Sequence, residues 1–146
     1  MLVAIDDALS PEQVAALRVR LQAGGEAWVD GRITAGFQGE KVKRNRQIDE
    51  GSEVAAECQA LVLAPLERNP LFISAALPNL VYPPMFNRYG EGMSFGPHVD
   101  GGVRIDPRTG RKLRTDISAT LFLSDPTPTT AGSWRSPTPT ARTASS

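Results

Sequence analysis

The residues best suited to chemistry lie in the segment Asn87-Arg88-Tyr89-Gly90-Glu91-Gly92-Met93-Ser94-Phe95-Gly96-Pro97-His98-Val99-Asp100. In an extended chain, side chains two positions apart point to the same face, so the His98 imidazole and the Asp100 carboxylate converge while Val99 turns away. A neutral imidazole and a carboxylate on one face can hold a metal ion. They are two of the three ligands of the facial triad of non-haem iron(II) oxygenases, which leaves three positions open for cosubstrate and oxygen. His-x-Asp alone is a weak signal, because an exposed histidine near an aspartate is more commonly a solvated pair or a loop hydrogen bond. A hydrolytic metal site is disfavoured: such sites need further His, Asp or Glu ligands, and no comparable cluster occurs elsewhere in the sequence.

The elements that must position these residues fall into a helical first half and a β-rich second half. Leu2 to Ile5 is a short apolar run that reads as an edge strand. Ser10-Pro11-Glu12-Gln13 places a serine N-cap, a proline at the first helical position and a glutamine at the third, so a helix is predicted to start there and to stop at Gly24-Gly25. Trp28 to Ile33 suggests a strand with a turn, and Gly36 to Asn45 reads as a loop. A second helix is predicted from Ser52 to Arg68, frayed by Pro65 and ended by Asn69-Pro70. Leu80 to Tyr89 and Thr115 to Leu123 are predicted strands, separated by the glycine-rich, charged stretch 90–114. In the second of them Ile117, Ala119, Leu121 and Leu123 alternate with Asp116, Ser118, Thr120 and Phe122, which gives one apolar and one mixed face. Lys43, Arg44, Asn45 and Arg46 read as a solvated basic loop, with substrate contact as the alternative.

Six positions at fixed spacing, Tyr89, Gly92, Phe95, Pro97, His98 and Asp100, resemble the segment around the first two iron ligands in the prolyl 4-hydroxylase branch of Fe(II)/2-oxoglutarate dioxygenases. Residues 68–78, Phe86-Asn87-Arg88-Tyr89, Met93-Ser94-Phe95-Gly96 and 115–124 look more closely like the bacterial PKHD-type hydroxylases. The resemblance covers Met1 to Asp125. It implies an α+β, mainly β fold: an incomplete double-stranded β-helix, or jelly-roll, with supporting N-terminal helices. It also implies that His98 and Asp100 are iron ligands, and that Tyr89 is a hydrogen-bond donor to 2-oxoglutarate; for Tyr89 a core or sheet-edge role is the alternative. Fe(II), 2-oxoglutarate and ascorbate are the implied cofactors. Family chemistry converts 2-oxoglutarate to succinate and CO2 and returns a hydroxyl to the substrate. The small-molecule or peptide substrate is not specified by the sequence, and a homodimer stays open.

Two family features are missing. A second histidine far downstream and a basic residue beyond it are required, yet His98 is the single histidine and only Arg135 and Arg142 are basic after Ser124. From Pro126 to Ser146 there are six Thr, four Pro, four Ser and no acid, a composition that cannot bury a core and is expected to be disordered. Back-translated and restarted two bases later, this tail yields a sequence of the kind the family places next. It is therefore expected to be an out-of-frame tail on a domain spanning residues 1–125, in a chain that is itself inactive. A non-catalytic binding module is the reading from another class.

Composition narrows the remaining classes. The 146 residues carry 16 basic and 16 acidic side chains, which does not favour nucleic acid as a partner. No apolar run approaches the roughly 20 residues that span a bilayer, and the N-terminus lacks a basic start followed by a long apolar stretch. A cytoplasmic location without membrane contact is the expectation. One cysteine, Cys58, rules out a disulfide within the chain.

Overall fold

A computed structural model of the chain describes residues 2–34, 43–95 and 100–124. The predicted tail 126–146 and His98 lie outside the described residues. Among the described residues, three α-helices and seven short antiparallel strands give an α+β arrangement.

Helix α1 (Pro11–Gln22) begins as its sequence predicts. The Ser10 hydroxyl accepts from the Gln13 N–H at 3.2 Å, and the Gln13 side chain accepts from the Ser10 N–H at 2.8 Å. Both donors would otherwise be orphaned at the helix start. Ser10→Ala is expected to cost about 1 kcal/mol, read as a lower urea midpoint; an unchanged midpoint would show that packing alone holds α1. Gly25, at φ +47°, takes the chain out of the helix in a left-handed conformation.

Helix α2 (Glu53–Leu66) is capped by Ser52, whose hydroxyl accepts from the Ala55 N–H at 3.1 Å. It ends two residues short of the predicted Arg68, with Pro65 in its last turn. Leu17 and Leu21 of α1 meet Ala55, Cys58 and Val62 of α2 in a core that also takes in Leu9, Trp28, Ile48 and Phe86. An ion pair between Arg20 and Glu57 joins the two helices at the surface. Cys58 is buried with a free thiol, which burial pushes up in pKa. Among the described residues no helix is long and apolar enough to cross a membrane.

Several predicted elements differ. Residues 2–5 form no strand. Asn69-Pro70, read as a stop, also starts helix α3 (Pro70–Ala76): Asn69 Oδ1 accepts from the N–H groups of Leu71 and Phe72, both at 3.0 Å, and proline occupies the first position. The predicted strand Leu80 to Tyr89 shrinks to β4 (Asn87–Arg88), since Pro83 and Pro84 lack the N–H that a ladder needs. Thr115 to Leu123 forms no ladder, and Ile117 and Phe122 stay exposed. Alternation sorts side chains to two faces, but a strand also needs a neighbour to bond. A hairpin forms instead within the glycine-rich stretch, β6 (Val103–Ile105) against β7 (Lys112–Arg114), turned through Gly110 at φ +68°.

The central sheet positions the site. Strand β1 (Trp28–Asp30) runs antiparallel to β3 (Arg46–Ile48), pairing Trp28 with Ile48 and Asp30 with Arg46; β3 in turn pairs with β4. Gly31–Thr34 follows β1 as a 3-10 turn. Just before β3, β2 (Lys43–Arg44) pairs with β5 (Ser94–Phe95). Residues 46–48 thus lie between β1 and β4, residues 43–44 lie beside β5, and between them the Asn45 carbonyl accepts from the Gly31 N–H at 3.0 Å.

Candidate functional site

Alternation along 43–48 decides which side chains the site receives. Lys43, Asn45 and Gln47 are buried, whereas Arg44 and Arg46 are exposed. The predicted solvated basic loop is therefore corrected: half of it is a buried polar row, because an extended segment between two neighbours turns every second side chain inward. Trp28 and Ile48 occupy the sheet face that packs on the helices. The polar row belongs to the opposite face, and Gly31 and Asn87 stand beside it at paired positions.

The row is joined by hydrogen bonds. Lys43 Nζ donates to Gln47 Oε1 at 2.9 Å, and Asn45 Nδ2 donates to Asn87 Oδ1 at 2.9 Å. Asn45 also stands beside the phenol of Tyr89 and lowers a pKa that burial raises more strongly. Burial depresses the pKa of Lys43, nearby Arg104 adds to the effect, and Glu50 and Asp30 oppose it. Gly31 makes room for this arrangement: a Cβ there would lie 1.8 Å from Asn45 Oδ1 and 3.1 Å from Lys43 Cε.

A second group borders the first. Tyr82 donates to Glu50 Oε2 at 2.8 Å; burial, then that carboxylate, push its pKa up to about 12. Arg104 stacks over the Tyr82 ring at 5.6 Å and reaches Met85 Sδ at 3.4 Å, which seats the β6–β7 hairpin on the segment before β4.

Of the three predicted site residues, Tyr89 is half-exposed beside Asn45, and Asp100 is exposed and accepts from Ser118 Oγ at 2.7 Å. Thr115 Oγ1 donates to the Gly101 carbonyl at 2.6 Å, so residues 100–102 are stitched to 115–118. His98, the predicted imidazole ligand, lies outside the described residues. Among the described residues no three His, Cys, Asp or Glu side chains gather as a metal site. The donor set in the sequence, one imidazole and one carboxylate at His-x-Asp, does not fill a facial triad. Gln47, Asn87, Ser118 and Gly31 were not singled out in the sequence. No alternation marks Gln47 in the sequence, because all five residues from Lys43 to Gln47 are polar and only the flanking strands decide which of them turn inward.

No family model matches the chain. It is similar to a PKHD-type hydroxylase of Cupriavidus metallidurans, 71% identical over 126 residues, which is 86% of this chain and 55% of the relative. A PKHD-type hydroxylase of Cupriavidus pinatubonensis is 72% identical over 124 residues, 85% of this chain and 54% of the relative. One from Paracoccus denitrificans is 55% identical over 126 residues, again 86% and 55%. The chain spans about half the length of these curated relatives.

Proposed function

We propose that the chain is the N-terminal part of a PKHD-type hydroxylase, an Fe(II)- and 2-oxoglutarate-dependent dioxygenase with ascorbate in support, and that residues 1–125 form part of its double-stranded β-helix. The observation that carries this reading is 71% identity over 126 of the 146 residues, a span that takes in segment 87–100. Asp100 and His98 supply two metal ligands in this reading, and Tyr89, oriented by Asn45, donates to the 2-oxoglutarate carboxylate. Ser118 fixes the Asp100 carboxylate through its hydroxyl. Metal-bound carboxylates are commonly oriented by such outer partners, whose loss costs roughly 10–100-fold in metal affinity or activity.

The 146 residues by themselves contain no third ligand of the triad type and are proposed to be inactive. The test is to join residues 1–125 to the C-terminal part of the Cupriavidus metallidurans relative and to measure succinate formed from 2-oxoglutarate with Fe(II) and ascorbate. The joined protein is expected to turn over. Asp100→Ala in it should lower the rate by two orders of magnitude or more, on the order of the loss seen when a catalytic metal is displaced. A folded joined protein that makes no succinate would refute the hydroxylase reading, and succinate from the 146-residue chain at a comparable rate would refute its inactivity.

A further inference from the structure

A sheet face turned away from the helices is ordinarily filled with Val, Ile or Thr when its task is packing. Here the inward positions of 43–48 hold an ammonium and two amides, joined by the Asn87 amide and the Tyr89 phenol. Burying such groups is costlier than burying apolar side chains of the same shape. The Asn45 Oδ1 atom is buried with no hydrogen-bond partner, an expense that packing alone does not explain. The pairing of Lys43 with Phe95 sets the row beside β5, three residues before His98.

We propose that Lys43, Asn45 and Gln47, with Asn87 and Tyr89 at their edge, form a subsite for a carboxylate-bearing small molecule. The Lys43 ammonium takes the carboxylate, and the amides and phenol supply hydrogen bonds that orient the rest of the ligand. Charge-assisted bonds from an ammonium to a carboxylate are about twice as strong as neutral ones, which makes a buried lysine the anchor of the row. The neighbouring Arg104 guanidinium makes the local potential more positive, and an arriving carboxylate would relieve the depression of the Lys43 pKa. Asn45 Oδ1 would accept from an N–H or O–H of the same ligand. The proposal rests on the hydroxylase reading for the place of this row beside the reacting centre, and its test is an equilibrium measurement into which turnover does not enter.

The same chemistry has two sources, the 2-oxoglutarate cosubstrate and an acidic primary substrate. The full chain, kept free of metal by a chelator, is titrated calorimetrically with 2-oxoglutarate and succinate for the first and N-acetylalanine for the second. At least one probe is expected to bind saturably, with affinity about ten- to a hundredfold weaker in Lys43→Met. Lys43→Arg, which keeps the charge, should bind more tightly than Lys43→Met. No saturable binding of any probe, or equal affinity in the unsubstituted chain and Lys43→Met, overturns the proposal. Should Lys43→Met fail to fold by circular dichroism, acetylation of the unsubstituted chain decides. The bound probe must slow modification of Lys43 and leave exposed Lys112 unchanged, and equal slowing at both sites, or none, counts against the subsite. Tighter binding of the dicarboxylates assigns the row to the cosubstrate, and tighter binding of N-acetylalanine assigns it to the primary substrate. A hydroxylase whose Lys43 binds nothing would leave the functional reading intact while ending this one.

Discussion

Trp28→Ala is expected to destabilise the chain by about 3–5 kcal/mol, a large part of the roughly 5–15 kcal/mol that holds a small domain folded. The indole is buried where α1, the central sheet and Phe86 meet. Its Nε1–H donates to the Leu21 carbonyl at 2.8 Å, and the Arg88 guanidinium lies 4.2 Å from the ring centroid on another side. Truncation removes one of the largest apolar surfaces in the core and leaves a cavity where Leu21, Ile48 and Phe86 gather. Trp28→Phe keeps most of the ring and loses chiefly the hydrogen bond, so about 1 kcal/mol is expected. The Leu21 carbonyl still accepts from the Gly24 N–H at 3.1 Å, which limits that loss. Urea unfolding followed by far-ultraviolet circular dichroism measures both. Equal midpoints for the two variants would show that the ring's volume is not what joins helices to sheet.

Gly31→Ala should act through Asn45. A new Cβ would lie 1.8 Å from Asn45 Oδ1 and 2.8 Å from Asn45 Cγ, closer than any real contact, so the amide must leave. Its bond to Asn87 and its contact with Tyr89 go with it, and a displaced amide in a buried site loses partners it cannot replace. A loss of about 1–3 kcal/mol is expected, the range of overpacking at a filled site. The double-mutant cycle identifies the cause. Asn45→Ala removes the obstructing amide, so adding Gly31→Ala to it should cost far less than in the unsubstituted chain, a coupling of about 0.5–3 kcal/mol. Additive losses would place the strain in the backbone of Gly31 rather than in the amide above it.

Local instructions are legible in the sequence. The Ser10 capping box, the glycines after α1 and the His-x-Asp segment are short patterns whose physics is settled within a few residues, and the first two appear in the structure where they were expected; Ser52, expected as the first helical residue, is instead the cap of α2. Asn69-Pro70 carries two instructions at once: the proline ends one helix, and the Asn69 side chain caps the next, so a stop and a start share the same two residues. The β half was less legible. Strong alternation in 115–123 did not make a strand, whereas 103–105 and 112–114, with weaker patterns, paired because Gly110 allows the turn that brings them together.

The sequence by itself determined where α1 and α2 begin, that Trp28 enters a strand, and that an imidazole and a carboxylate stand two positions apart in a chain with a single histidine. Tertiary structure alone decided that 46–48 lies between β1 and β4 and 43–44 beside β5, that Lys43, Asn45 and Gln47 become an inner face, and that Ser118 meets Asp100 from 18 residues away. The division has one physical cause. Caps and turns are satisfied by neighbours along the chain, but the burial of a charged or amide side chain depends on which distant strands flank it, and no local pattern specifies that choice.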